Sequence, residues 1–387
     1  MKFVLAMNAF KGSLKSIEAC KIIKKCIEDK DKNAIVLSAP IADGGDGTLD
    51  CILQNKKYQK RSIETVNALG VKITADYGIS KDGELIIESA KVIGLAMIKP
   101  NLDILHSSSY GLGLMIRNIL EKEDGIKKII FGLGGTATND GGVGMAEALG
   151  VSFLDKNKME IKSGSSHLND IVYINTSNID SRLKNIEIIG MCDVEAKLLG
   201  KNGATYVYGP QKGANETELK ILENGMKNLT SVCKKEYGFD FSRKNGAGAA
   251  GGLGYGIMQF FSGKLIKGAK ALLDSFNFDE MIEKTDYVFT GEGRIDSQTL
   301  QGKGVMEVIK RCKKKGVKVI AVCGEIKDGI ETLYEKGLTA AFTINRVLLE
   351  KKIMKSRSKE DLKFTINYRL NIIYYINDYK LEKTRDS

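Results

Sequence analysis

The sequence predicts an α/β protein with mostly parallel strands. Three observations carry that reading. Six short apolar or β-branched runs each lead into a glycine-bearing polar loop and then toward a helical pattern, the alternation that builds parallel sheets. Turning is left to glycine, with 42 glycines against 3 prolines. The 387 residues are 43% hydrophobic and 28% charged, which describes a globular chain long enough for two domains, each with its own core.

The elements follow in order. "FVLAM" (3–7) leads through "NAFKGS" into a helix with Ile17, Cys20, Ile23 and Ile27 at helical spacing. "AIVLSAP" (34–40) leads through "IADGGDGT" (41–48) to "LDCIL". Residues 57–99 differ. "KRSIETV", "VKITADYGI" and "GELIIESA" read as consecutive strands around the turns "NALG" and "SKDGE", an antiparallel element that opens a second domain. "KKIIF" (127–131) feeds "GLGGTATNDGG" and then the helical "VGMAEALG". "IEIIGM" (186–191) feeds "CDVEAKLLG". "DYVFT" (286–290) feeds "GEGRIDSQTLQGKG" and then "VMEVIKRC". "VKVIAVC" (317–323) feeds "GEIKDG". The tail from about residue 347 is lysine-rich and closes on a helix over "SKEDLKFTINYRLNIIYYINDY", with Ser358 and Asp361 in a capping-box pattern.

Composition excludes several functions. Seven cysteines include no C-x-x-C, so they read as reduced, mostly buried thiols. Two histidines, His106 and His167, leave no basis for a zinc site or a histidine triad. No run of 18 uncharged apolar residues spans a membrane, and "MKFVLAM" is no secretory signal, so a cytoplasmic location is expected. The net charge of +11 sits on lysine pairs and triples along helix faces. No nucleic-acid-binding pattern accompanies it, and an anionic small substrate suits it better.

In parallel α/β sheets ligands sit beyond the carboxyl ends of the strands, where these glycine loops fall. Missing Cβ atoms let the main chain approach a ligand, and N–H groups at the following helix start attract anions. Gly44, Gly45, Gly134, Gly135, Thr136, Asn139, Asp140, Gly291, Glu292 and Gly293 are the candidate substrate or nucleotide contacts. The alternative for each loop is a tight turn. Walker-type GxxxxGK[ST] and the protein-kinase signatures are absent. "GAGAAG" (246–251) matches GxGxxG but follows no convincing strand, so it reads either as a dinucleotide loop or as a glycine-rich helix entry packed against a neighbour. Asp193 follows a strand end and serves either as a base for a substrate hydroxyl or as a helix cap. Asp43, Asp46, Glu292 and Asp296 are carboxylates of the kind that hold magnesium alongside phosphate oxygens. Lys11 and Arg294 are candidate phosphate clamps.

"FKGSL" (10–14), "PIADGGDGT" (40–48), "SYGLG" (109–113), "GLGGTATNDGG" (132–142), "CDV" (192–194), "NGAT" (202–205), "YGPQKGA" (208–214), "GAGAAGGLG" (246–254) and "TGEGRIDSQT" (290–299) together resemble the bacterial glycerate kinases of the first type, in that family's order. The resemblance implies an ATP- and Mg²⁺-dependent kinase acting on D-glycerate. It implies two α/β domains with the active site in the cleft between them. We place a Rossmann-like parallel-sheet domain at 1–56 and 270–387, and a second, mixed α/β domain at 57–269. The resemblance also matches Asp193 to the catalytic aspartate. Lys11, Asp43, Asn139, Asp140, Glu292 and Arg294 lie in matching motifs, and Asn8 is added as a contact at the first strand end. Metal ligation is assigned to Asp43, Glu292 and Asp296. The product expected is 2-phosphoglycerate rather than 3-phosphoglycerate, from a monomer or homodimer. Two departures stand out. The family's Asp-Ser before "FKGSL" is Asn8-Ala9 here, and the segment after "FTINR" (342–346) lacks the family's proline turn and alanine-rich helix. Two other functions stay open: a metabolite-binding homologue without catalysis, and an oxidoreductase using "GAGAAG".

Overall fold

A computed structural model describes residues 1–385 except 11, 163, 297, 298, 300–303, 348 and 349; the side chains of 351 and 378–385 also lie outside it. The chain divides into two compact units, Met1–Ala42 with Ala269–Ser387, and Asp43–Gly268.

The first unit carries a five-stranded sheet in the order Leu338–Thr343, Lys318–Cys323, Tyr287–Gly291, Lys2–Met7, Ile35–Ser38, with every pairing parallel. Strand side chains alternate between faces, and both faces are covered, so the strands read as unbroken apolar runs. Phe3, Leu5 and Met7 join Phe289, Ile320 and Val322 on one face, under Ala19, Ile23 and Ile27 of the Ser16–Lys30 helix and Leu362, Ile366 and Leu370 of the Ser358–Arg385 helix. Val4 and Ala6 join Val288, Val319 and Ala321 on the other, under Val305, Ile309 and Cys312 of the Gly304–Lys314 helix. Truncating one such buried leucine or isoleucine to alanine costs about 2–5 kcal/mol.

The second unit carries a six-stranded mixed sheet in the order Lys264–Ile266, Glu187–Met191, Lys128–Gly132, Glu84–Glu88, Lys72–Ser80, Tyr58–Val66. The first four strands are parallel and the last two pair antiparallel, as the turns "NALG" and "SKDGE" require. Leu112, Met115, Ile116 and Ile119 of the Tyr110–Lys122 helix pack on one core with Leu85, Ile87, Ile129 and Phe131. A second core gathers Phe153, Leu168, Met226, Leu229 and Tyr255.

The six strands expected from the short apolar runs form, and so do the three expected over residues 57–99. Leu338–Thr343 and Lys264–Ile266 were not anticipated; each is a sheet edge, where half-exposed, mixed sequence pairs well enough. Residues 192–203 stay without helix until Ala204–Tyr208. The capping box at Ser358 does not form. The Ser358 hydroxyl donates to the Met354 carbonyl (3.3 Å) and Asp361 N–H donates to the Arg357 carbonyl (3.0 Å), because the preceding Lys351–Ser356 turn already supplies helical acceptors. The Asp361 carboxylate instead accepts from Arg346 Nε at 2.8 Å. All seven cysteines are free and buried. Among the described residues no helix is long and apolar enough to cross a membrane.

Candidate active site

Register sets the site. In the second unit Glu88 pairs with Gly132, Gly132 with Met191, and Met191 with Ile266, so four parallel strands end at one level. The residues that follow emerge along one edge. Asp193 and Gly268 each lie two positions past the Met191–Ile266 pair, and Asp193 Oδ1 accepts the Gly268 N–H at 2.9 Å. Gly268 opens the Gly268–Ser275 helix, so the capping role open to Asp193 is realised, toward a helix 75 residues away.

The loop after Ile35–Ser38 joins the same edge. Gly44 has φ +86°, and a Cβ there would lie 2.4 Å from the Met191 carbonyl oxygen. A Cβ on Gly134 would lie 2.7 Å from Gly45 Cα. These backbones touch, and only glycine lets them. Asp43 Oδ1 accepts the Gly45 N–H at 3.2 Å, and Asp46 Oδ1 lies 2.5 Å from where a Gly135 side chain would begin. Asp43, Gly44, Gly45, Asp46, Gly134, Gly135 and Asp193 therefore share one neighbourhood.

The remaining residues of "GLGGTATNDGG" turn inward. Asp140 is wholly buried, and its carboxylate accepts from Ser109 N (2.7 Å), Ser109 Oγ (2.8 Å), Gly142 N (3.1 Å) and Gly144 N (3.2 Å). Its acceptors are used to shape the loop and start the Val143–Ala148 helix. Asn139 is also wholly buried; its Nδ2 donates to Thr205 Oγ1 at 3.1 Å, while its Oδ1 has no hydrogen-bond partner among the described residues. Thr136, 3% exposed, lies 3.5 Å through its Oγ1 from Lys212 Nζ. "GAGAAG" proves to be close packing. A Cβ on Gly251 would lie 1.9 Å from the Thr138 carbonyl oxygen, so the segment braces the loop from behind.

The first unit holds its own group at the tips of adjacent parallel strands. Asn8 N–H donates to the Gly291 carbonyl at 2.8 Å, and Asn8 Oδ1 accepts the Ala9 N–H at 2.8 Å. The Gly293 carbonyl accepts the Glu325 N–H at 3.1 Å. Thr299 Oγ1 donates to Glu292 Oε1 at 3.0 Å and accepts the Asp296 N–H at 3.2 Å, which draws the two carboxylate residues onto one turn. Arg294, half exposed, pairs through Nε with Asp296 Oδ2 at 3.1 Å. Lys11 lies outside the described residues. Among those described, no group of three or more His, Cys, Asp or Glu could hold a metal.

Sequence reasoning passed over two residues. Glu88, 3% exposed, accepts from Gly47 N (3.1 Å) and Leu49 N (2.9 Å), capping the Thr48–Ile52 helix from a different strand. Burial raises its pKa above the ordinary carboxyl value, against the pull of those two N–H groups. Lys212, also 3% exposed, donates from Nζ to the Thr138 carbonyl at 2.6 Å; burial lowers its pKa to about 7, opposed by the Asp140 charge. A lysine between proline and glycine in "YGPQKGA" was the available signal. For Glu88 the signal was a carboxylate closing an apolar strand.

The fold and this edge define an α/β protein whose glycine-rich loops gather at the tips of parallel strands, beside an aspartate. The chain belongs to the glycerate kinase family, whose model matches residues 3–373, and it is a kinase of that family. It is 38% identical to a glycerate kinase of Halalkalibacterium halodurans, over 88% of this chain and 90% of that one. It is also 38% identical to the glycerate 2-kinase of Escherichia coli K12, over 89% and 90%. A crystal structure of a candidate glycerate kinase 2 from Salmonella typhimurium LT2 superposes with TM-score 0.85 at 32% identity, over 98% of this chain and 99% of that one. This membership leaves the oxidoreductase reading of "GAGAAG" without support.

Proposed function

We propose that the chain transfers the γ-phosphate of ATP to the 2-hydroxyl of D-glycerate, with Asp193 taking the hydroxyl proton. The observation that carries this is the position of Asp193. It stands two residues beyond a parallel strand, tied to the Gly268 N–H, beside glycine-rich loops that pack backbone to backbone at Gly44, Gly45 and Gly134. Phosphoryl transfer asks for positioning, charge stabilisation and exclusion of water rather than covalent work by the protein.

In this reading the Asp193 carboxylate orients the hydroxyl and accepts its proton as the new O–P bond forms and ADP leaves. Main-chain N–H groups of the glycine loops not already donated within the loop receive phosphate or the glycerate carboxylate. Asp140 and Lys212 hold the loop in shape from inside. Bound magnesium would supply offset of the phosphate charge. Asp43 of the second unit, or Glu292 and Asp296 of the first, would hold it, since magnesium commonly takes only one or two carboxylates and keeps water and phosphate oxygens for the rest. Regiochemistry is supported by the Escherichia coli relative, which is a glycerate 2-kinase.

Incubation with ATP, Mg²⁺ and D-glycerate followed by phosphorus NMR tests the reading. A 2-phosphoglycerate resonance is expected. A 3-phosphoglycerate resonance would overturn the regiochemistry. Glycerate binding without ATP consumption would favour the non-catalytic homologue.

A further inference from the structure

We propose that the nucleoside end of ATP docks in a basic pocket of the second unit, lined by Lys197, Lys201, Tyr206, Glu223, Lys227 and Arg243. The inference rests on the kinase reading above and assigns its nucleotide to a place.

The pocket has a volume of about 980 Å³. That is the upper end of the range for small-molecule sites, roughly 300–1,000 Å³, and suits a nucleotide better than a three-carbon acid. Its walls come from the loop after Glu187–Met191, the Ala204–Tyr208 helix and the Glu216–Tyr237 helix. Glu223 and Lys227 stand one turn apart on the last of these, on one face.

Two features point to a ligand. The first is charge. Lys197, Lys201, Lys227 and Arg243 are exposed, and none is ion-paired among the described residues. Lysines elsewhere in this unit do find carboxylates, as Lys264 does with Glu187 and Lys267 with Glu195. Four cations around one hollow favour a ligand with negative charge at the rim, which the phosphates next to the nucleoside bring. The second is Glu223, only 2% exposed. Its Oε1 accepts the Gly200 N–H at 2.8 Å, while its Oε2 is buried with no hydrogen-bond partner among the described residues. Buried acceptors are normally satisfied, so this oxygen calls for a donor. A ribose hydroxyl or the amino group of adenine supplies one; a phosphate does not. The Tyr206 ring, 37% exposed, offers a flat apolar face to the base. Reach agrees as well. Lys197 is four residues beyond Asp193, a separation of at most ~14 Å of extended chain, which a triphosphate tail can cover.

The test is calorimetric titration of MgATP into the full-length protein, its Lys227→Met/Arg243→Met variant and its Glu223→Gln variant, with steady-state kinetics on D-glycerate. The double variant changes exposed side chains and keeps the melting temperature. Its Kd for ATP rises roughly tenfold or more, as loss of charge-assisted contacts implies, while KM for D-glycerate stays within about twofold. Glu223→Gln weakens ATP but leaves competition by inorganic triphosphate unchanged, because only the nucleoside end meets Glu223. Unaltered ATP affinity in the double variant would overturn the proposal and leave the kinase reading standing. Wild-type protein that binds ATP through these residues but never phosphorylates D-glycerate would do the reverse.

Discussion

Lys212 Nζ lies 2.6 Å from the Thr138 carbonyl oxygen, so a lysine buried in the second unit holds the loop that "GLGGTATNDGG" builds. Glycines supply the loop's bends, but bends alone do not fix a loop. The ammonium–carbonyl bond, the Asp140 hydrogen bonds and the Gly251 contact fix it from inside.

Lys212 predicts a pH dependence of stability. Its pKa falls from the ordinary 10.5 to about 7 in the folded protein. Between those values the unfolded chain binds more protons, so stability rises with pH across that window and is lost as pH falls toward 7. Lys212→Met abolishes that part of the slope, read from urea midpoints between pH 7 and 10. A variant with the wild-type slope would show that Lys212 is not the group responsible.

Glu88 predicts the opposite trend. Its folded pKa is raised above 4.5, so its contribution is full below 4.5 and is lost as pH rises through the folded value. The wild type therefore loses more stability than Glu88→Gln on going from pH 4.5 to pH 7.5. Parallel denaturation curves at both pH values for the two proteins would refute this.

Asp193→Asn lowers kcat by at least about a hundredfold while ATP affinity is largely kept, since general-base assistance is worth ~10²–10⁴-fold. Asparagine retains the acceptor for the Gly268 N–H, so the melting temperature barely moves. Near-normal turnover in this variant removes Asp193 from the role of base.

Gly44 and Gly47 separate two costs. Both have positive φ, +86° and +87°. A side chain at Gly47 meets nothing within 4 Å, whereas one at Gly44 meets the Met191 carbonyl oxygen at 2.4 Å. Gly47→Ala costs about 1–2 kcal/mol from backbone strain alone. Gly44→Ala costs more and also lowers activity, because it forces the 43–47 loop off the strand edge. Equal losses in a denaturation experiment would show that the contact is easily relieved.

Much of this protein was legible in the chain. Runs such as "VKVIAVC" and "KKIIF" are too apolar to face water, and the glycine loops after them mark strand ends, so the parallel sheets could be read locally. The antiparallel strands over residues 57–99 were equally legible, from alternation and turn residues. Motifs carried the family. The rest was decided at a distance. Strand register, which sums pairings across the whole sheet, puts Gly268 against Asp193, and loop packing puts Gly44 against the Met191 carbonyl. Burial, which no short stretch encodes, turns Glu88 into a helix cap and lowers the pKa of Lys212. Hydrogen bonding follows the acceptors that folding delivers, and so Ser358 took the Met354 carbonyl instead of forming the capping box its neighbours suggested. Sequence named residue types that suit phosphate chemistry; tertiary contact decided which of them, such as Asp140, are spent on shape.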